Sequence, residues 1–525
     1  MKKKPSPKAA RNLDKSLFEA GQQCQKRLYL DFHEPVEAEP SALRQSMSAA
    51  GDQLRLLART AFPKGVAIEA TDADAAAAET RKHIAAGLPV LFGATFVAEG
   101  VEARCDILVL HKDNACDLFE IKSGTKVKHR YVNDMALQAH VLEASGFKMR
   151  AAYLLHVNPK YVHKEGTDFP AMQLLRSGDI TAKVQKQLEP VRRRLQQYRQ
   201  TLADDAVQQL PMGTFCTTPF PCPHLLRCGK EAPALPLRLL PELTRQFELE
   251  LHKEGVEDLP GLDQKREGLT FRQRRTLACV QQDAPIVEPF VRDELRQCTK
   301  PLHFVAIASV TDPLPRFEGQ RPWRRIPYAF AAHTVHADGR LETATFCHVE
   351  RTDPRPEFVA ALTKQLEVGG TIVVWNDNAL SELRSLLDDL PAAKASVRAL
   401  VGHPHLDLMQ LFESSVFHPK AISHADLRVS VAALLNDASG SDLAVFGEEA
   451  IVAALQAATA PRVRSAKKEK ITADILAGLS WNSERVMQLF NAFAEVAPPA
   501  SKPAEAPTRS AVKPKPLPKP LPGEV

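Results

Sequence analysis

Along the first two hundred residues the spacing of apolar positions switches from helical to alternating and back again. Leu13, Leu17, Leu28 and Leu30 recur at helical intervals and predict one helix from about Leu13 into Leu30. A second helical stretch is expected over Ala42–Ala61, and an alanine-rich one over Ala73–Ala86. Alternation then predicts strands at Val90–Phe96, Val101–His111 and Asp117–Lys122, with a turn at Lys112-Asp113-Asn114. Asn133–Ser145 reads as a helix ended by Gly146, Arg150–Val157 as a strand, and Ile180–Leu202 as a polar helix. Helices, a group of antiparallel strands, a crossover helix and a further strand predict an α/β unit over residues 12–230.

Residues 231–300 read as a small helical connector, in which Gly255 to Gly261 suits the turn of a helix–hairpin–helix unit. A second α/β pattern follows over 301–497, with strands expected near His303–Ser309, Ala329–His336 and Thr371–Trp375. Residues 1–11 are basic, and 498–525 are rich in proline and lysine. Neither end carries enough apolar surface to order itself, so both are expected to be disordered.

Composition changes this picture little. A formal charge of +5 permits nucleic-acid binding without arguing for it. Apolar runs such as Thr371–Trp375 are far too short to cross a bilayer. No apolar signal core follows Lys2, Lys3, Lys4 and Lys8, so a cytoplasmic protein with no membrane partner is expected. Nine cysteines, an odd number, argue against a disulfide framework and towards metal ligation. Cys105, Cys279, Cys298 and Cys347 stand alone as apolar fillers would, and Cys116 falls in the expected turn.

One constellation carries chemistry. Hydrolysis of a phosphodiester needs a metal to stabilise phosphoryl charge and lower the pKa of the attacking water, and magnesium binds through a few carboxylates. Asp106 and Glu120 lie on two strands that form a hairpin, so their carboxylates can converge at one end of a sheet. Residues two apart on a strand share a face, which brings Lys122 beside Glu120. A lysine there can orient the attacking water. Ile121 would face the core and could offer its carbonyl to the metal, and Gln138 on the following helix is a further polar contact. The plainer reading is a Glu–Lys pair on a solvated edge. Lys126, Lys128, His129 and Arg130 could track a phosphate backbone or form a solvated basic loop.

The run from Val101 to Asn158, with "VEARCDILVL" and "DLFEIKSGTKVKHRYVNDMALQAHVLEASG", resembles the RecB-like nucleases of the PD-(D/E)XK type. It looks especially like a bacterial family in which such a nuclease is fused to an RNase H-like exonuclease domain, and that likeness covers most of residues 12–495. It implies Asp106 and Glu120 as ligands of Mg²⁺ or Mn²⁺, Lys122 as the catalytic lysine, Gln138 as the helix polar residue, and DNA as substrate. Many such nucleases carry a His or Glu on an early helix. The stretch "GDQLRLLART" has neither.

The remaining cysteines are clustered. Cys216, Cys222 and Cys228 are evenly spaced in "CTTPFPCPHLLRC", a loop stiffened by Pro219, Pro221 and Pro223. Three thiols do not complete a tetrathiolate site, and Cys24 is available as a fourth. They could also be ordinary thiols. Paired Cys-x-x-Cys, usual in zinc ribbons, is missing. One remote N-terminal cysteine plus three after the core resembles the iron–sulfur RecB-like nucleases. That implies a structural [4Fe–4S] cluster, with zinc as the alternative and His224 as a substitute ligand.

The second unit resembles the DnaQ-like exonucleases, whose two-metal sites need four acidic residues. At the matching positions "FVAIAS" gives Ala306 and Ala308, the position four after Asn376 is Leu380, and "ILAGLSWNSERVMQL" gives Asn482. Asp377 and Asp407 remain nearby, too scattered to rebuild the centre. The resemblance therefore implies an inactive exonuclease fold, kept for packing, for holding nucleic acid or for a protein partner, which the Pro-rich tail could also engage. The main rival to a nuclease is a non-catalytic nucleic-acid-binding or assembly protein in which both domains have decayed. A zinc-stabilised scaffold is the third reading.

Overall fold

A computed structural model describes residues 11–36, 40–164, 166, 168–204, 206–207, 210–376, 380 and 383–495. The expected disordered ends, apart from Arg11, lie outside the described residues, as does Asp377. The architecture is mixed α/β, as the sequence predicts, with a six-stranded and a five-stranded sheet and a two-stranded ribbon among the described residues.

The first unit begins with two helices where one was expected, α1 (Lys15–Gln23) and α2 (Gln25–His33). Cys24 between them is fully extended, with φ −162° and ψ 129°, so the chain breaks at the cysteine. Asp14 caps α1 by accepting from the Leu17 amide at 2.8 Å, and the helix buries Leu17 and Phe18. Helices α3 (Ala42–Arg59) and α4 (Ala73–Ala85) follow the expected stretches.

Six strands make the first sheet, in chain order: β1 (Gly65–Ala67), β2 (Val90–Ala98), β3 (Val101–Leu110), β4 (Ala115–Lys122), β5 (Lys148–Val157) and β6 (Leu175–Asp179). β2, β3 and β4 are antiparallel neighbours, whereas β5 runs parallel to β4 and is reached through α5 (His129–Ala144). Gly146, at φ 88°, ends that crossover in a conformation other residues adopt at a cost. α5 begins earlier than its apolar spacing predicts and is buried on all sides from Tyr131 to Leu142. Polar residues on such a helix must find partners inside the protein. A short α6 (Ala171–Leu174) precedes β6, and α7 (Thr181–Ala203) lies beside α5. Cys116, expected in a turn, is fully buried in β4.

α8 (Leu225–Gly229) lies in the cysteine loop, and the connector contains α9 (Arg245–Lys253), α10 (Phe271–Gln282) and α11 (Phe290–Arg296). Between α9 and α10 runs a long loop that buries Leu259, Leu262 and Leu269, in place of the tight hairpin that Gly255 and Gly261 suggest. β7 (Ile286–Val287) pairs far along the chain with a short strand at 416–417.

In the second sheet the order is β10-β9-β8-β11-β12, from β8 (Leu302–Val310), β9 (Ile326–Val335), β10 (Leu341–Cys347), β11 (Thr371–Val374) and β12 (His405–Asp407). β10, β9 and β8 are antiparallel, and β11 and β12 run parallel to β8. A 31-residue helix, Ser465–Glu495, packs across β8 and β9. The two units touch. The Gly447–Thr459 helix lies against α3, and Leu314 and Trp323 join the apolar cluster of the first sheet.

Candidate functional site

Asp106 and Glu120 meet at the end of the β3–β4 hairpin. The ladder's last backbone pair is Ile107 with Phe119, one step short of the two acids. Beyond it the Asp106 carboxylate takes over, accepting the Ile121 amide at 2.8 Å. Ile121 faces the core, as its strand position predicts. Glu120 is 3% exposed. Lys122 stands on the same face and donates to Glu120 Oε1, while Gln138 Nε2 donates to Glu120 Oε2 at 3.0 Å. Every residue of the predicted set is therefore in one place.

Two further residues complete the wall. Lys15, on α1, reaches Glu120 Oε1 at 3.2 Å and also contacts Asp134 on α5. Lys122 Nζ lies 2.8 Å from the same Asp134 oxygen. The helix period could have signalled Asp134, which sits one turn before Gln138 and so on its face. Nothing in the sequence signals Lys15, 105 residues from its glutamate. No carboxylate or imidazole from α3 is bonded to the centre among the described residues. Its Arg55 instead favours ionisation of Asp106.

Charge is uneven here. Burial, with Glu120 close by, pushes Asp106 up to about 7. Burial also opposes ionisation of Glu120, yet Lys122 and Lys15 overcome it and hold that carboxyl well below its usual range. Burial likewise works against the charge on both lysines, but Glu120 and Asp134 outweigh it and keep them protonated. The carbonyl oxygen of Gln138 and Oδ1 of Asp134 are buried without a hydrogen-bond partner. Lys126, Lys128 and His129 stand exposed on the loop that leaves the site.

The four clustered cysteines also converge. Cys24, Cys216, Cys222 and Cys228 line one small cavity walled by Leu30, Met212 and Phe215. The extended break at Cys24 turns that residue towards the loop, and Gln23 staples the loop to α1 by donating to the Phe215 and Phe220 carbonyls at 2.7 and 2.8 Å. Burial raises the Cys24, Cys216 and Cys222 thiols, while Lys26, Arg238 and Arg27 respectively pull them down. His224 borders the cavity, but its Nε2 is 2.7 Å from Asp31. No group of three or more His, Cys, Asp or Glu side chains among the described residues stands in ready metal-binding geometry.

In the second unit Ala306 and Ala308 are buried against Leu455, Ile475 and Leu479. Asn376 and Asn482 line a neighbouring cleft with Ser309, Arg325 and Arg428. Leu380 is in the core, and Asp407 serves as a helix cap, accepting from the Gln410 amide at 2.8 Å. A domain of unknown function, DUF2779, matches residues 304–425. The DUF2779 segment runs from β8 through β12 to the residue before the Asp426 cap of the Leu427–Leu434 helix. It contains Ala306, Ala308, Asn376 and Leu380 but neither the Asp106 centre nor the cysteines. No curated protein and no solved structure matches the chain. No described helix is long and apolar enough to cross a membrane.

Proposed function

We propose that the chain is a cytoplasmic, divalent-metal-dependent nuclease that hydrolyses phosphodiester bonds in DNA at Asp106, Glu120 and Lys122. The observation that supports this reading most strongly is the half-buried Asp106 beside the buried Glu120 at one hairpin end, with Lys122 bonded to Glu120. The residues fit Mg²⁺ or Mn²⁺. Two carboxylates suit an ion that keeps most of its water, and a cation would favour the ionised form of Asp106, which burial first and the nearby Glu120 second disfavour. The unpartnered oxygens of Gln138 and Asp134 could accept from its water shell.

When bound, the ion would stabilise phosphoryl charge and lower the pKa of a water. Asp106 and Glu120 would hold it, with the Ile121 carbonyl as a third donor. Gln138 fixes the orientation of Glu120, and Lys122 would orient the attacking water. Hydrolysis would bond a water oxygen to phosphorus as the P–O bond to the leaving sugar oxygen breaks, the water giving up one proton to solvent and the departing oxygen taking one up. Lys126, Lys128 and His129 would follow the backbone of the bound strand.

A structural [4Fe–4S] cluster, with zinc as the alternative, is supported by the four thiols that line one cavity. Four thiolates around either that cluster or zinc leave net negative charge, which Lys26, Arg27 and Arg238 offset. An apolar wall would keep solvent away. We read the second unit as an inactive RNase H-like exonuclease fold, a reading supported by its mixed five-stranded sheet and by alanines packed where acids would be needed.

The test is cleavage of single- and double-stranded DNA with Mg²⁺ or Mn²⁺ by the full chain. Asp106→Ala and Lys122→Ala should each lose activity by about 10²-fold or more. Equal rates in wild type and both variants would reject the site. Protein purified without oxygen should be brown and contain iron and sulfide. Zinc in their place would make the cluster a zinc site.

A further inference from the structure

Charges alternate around the inner wall of the nuclease centre. Lys15 and Lys122 both reach Glu120 Oε1, at 3.2 Å from Lys15, and both reach Asp134 Oδ2, at 2.8 Å from Lys122. The water-orienting role given to Lys122 calls for neither Lys15 nor Asp134. Asp134 is 2% exposed, and burying a carboxylate on a helix is unfavourable unless it serves cations. The Lys15 side chain is half-exposed, whereas the Asp134 carboxylate it contacts is almost fully buried. Its helix is fixed in place by the Asp14 cap, by buried Leu17 and Phe18, and by Gln22, which accepts from Asn133 of α5 at 2.9 Å.

A count of formal charge shows what the extra pair does. Asp106, Glu120 and Asp134 with two lysines and one divalent cation leave a single net positive charge. A phosphodiester carries one negative charge, so the loaded site matches one phosphate. Without Lys15 the third carboxylate would cancel that charge. Without Asp134 the two ammonium groups would repel each other and the metal.

We infer that Lys15 is a phosphate-binding lysine beside the water-orienting Lys122, and that Asp134 is the positioning residue that holds both ammonium groups in register. Together they set the charge of the centre. This rests on the metal-nuclease reading and adds to it a substrate contact from the N-terminal helix. The two residues act on metal and substrate in opposite senses. Removing Lys15 makes the site more negative, so it tightens the metal and loosens the strand. Removing the charge of Asp134 loosens the metal.

The experiment uses the full chain as wild type, Lys15→Met, Lys15→Arg, Asp134→Asn and the Lys15→Met/Asp134→Asn double variant. Mn²⁺ affinity is read from the free-ion spin-resonance signal without DNA. Binding of a single-stranded oligonucleotide is read by anisotropy in Ca²⁺ across a salt series. Lys15→Met should bind the oligonucleotide about tenfold more weakly, with a salt slope smaller by about 0.7, while binding Mn²⁺ more tightly. Asp134→Asn should bind Mn²⁺ about tenfold more weakly. The double variant should return towards wild type for Mn²⁺, and Lys15→Arg should keep oligonucleotide binding. Mn²⁺ shifts of the same sign in both single variants would overturn the inference, because a merely structural role weakens both. So would unchanged oligonucleotide binding by Lys15→Met. If wild type and Asp106→Ala bind Mn²⁺ equally, the nuclease reading itself falls and carries the inference with it.

Discussion

At the scale of single residues, strand periodicity made half of the centre legible. Glu120 and Lys122 are two apart on one strand, and Asp106 faces them across a short hairpin, so local rules place all three. Lys15 and Asp134 escaped the same reasoning because their partners come through tertiary packing, across α1 and α5. Asp117, in the same hairpin, shows how such a buried acid is stabilised. Burial favours its neutral form, but Arg150, at 2.8 Å from Oδ1, and His111, at 3.0 Å from Oδ2, overcome that and lower its pKa. A depressed folded-state pKa contributes stability above the unfolded carboxyl range, lost as pH falls through the folded value. Asp117→Asn should therefore unfold about 1–3 kcal/mol more easily than wild type at pH 7. Denaturant titrations should show that gap closing below pH ~4, where the unfolded chain's aspartate gains its proton. A gap that stays constant from neutral to acid pH would mean that the charge of Asp117 contributes nothing.

At the scale of elements, the long periodic segments were readable and the short ones were not. α3, α4, α7 and the β2–β5 strands follow their patterns closely, whereas β1, β6, β10 and β12 were not foreseen. Except for β10 these are only three to five residues long, and all lie at or beside a sheet edge, where pairing rather than side-chain pattern defines a strand. The split between α1 and α2 was hidden for another reason. No proline or glycine stands at the break, yet the backbone is extended at Cys24, where the thiol meets the Cys216–Cys228 loop. This joins the two candidate sites mechanically: α1 ends at the cysteine cavity and carries Lys15 to Glu120 and Asp134. Cys24→Ser should lower the iron or zinc content and lower Tm, since the free energy of filling such a site is also free energy of folding. It should also speed proteolysis of the loop around Cys222. Gln23→Ala, which removes the two hydrogen bonds to the Phe215 and Phe220 carbonyls, should loosen the loop without abolishing metal binding. If Cys24→Ser left metal content and proteolysis unchanged, the four-thiol site would be wrong.

At the scale of the whole molecule, the second unit is built into the first rather than tethered to it. Trp323 donates to the Ser123 carbonyl at 2.7 Å, directly after Lys122, and His163 exchanges backbone hydrogen bonds with Gln320 and Gly319 at 3.0 Å each. Those hydrogen bonds tie the DUF2779-matched segment directly to the strand that carries Glu120 and Lys122. On the proposed reading of an inactive exonuclease fold, the alanines would seal the lost acidic positions by packing. Ala306 pairs with Ala331 and Ala308 with Ala329, so four small side chains line the middle of adjoining strands. The Gly447–Thr459 and Ser465–Glu495 helices close over them with Val452, Leu455, Ile475 and Leu479. Ala308 is 1% exposed. Putting back the acids as Ala306→Asp/Ala308→Glu would place two like charges in this apolar layer. An unpaired buried charge costs roughly 3–5 kcal/mol, a large part of a typical domain's stability. The double variant should therefore unfold at much lower denaturant concentration and gain no exonuclease activity with Mg²⁺ or Mn²⁺. Each single variant should already be destabilised. Had only the acids been lost, with the surrounding cavity kept, the same substitutions would be tolerated and Mn²⁺ would raise the Tm of the variant. That outcome would show a site still shaped for metal, and the packing account of the inactive unit would have to be abandoned.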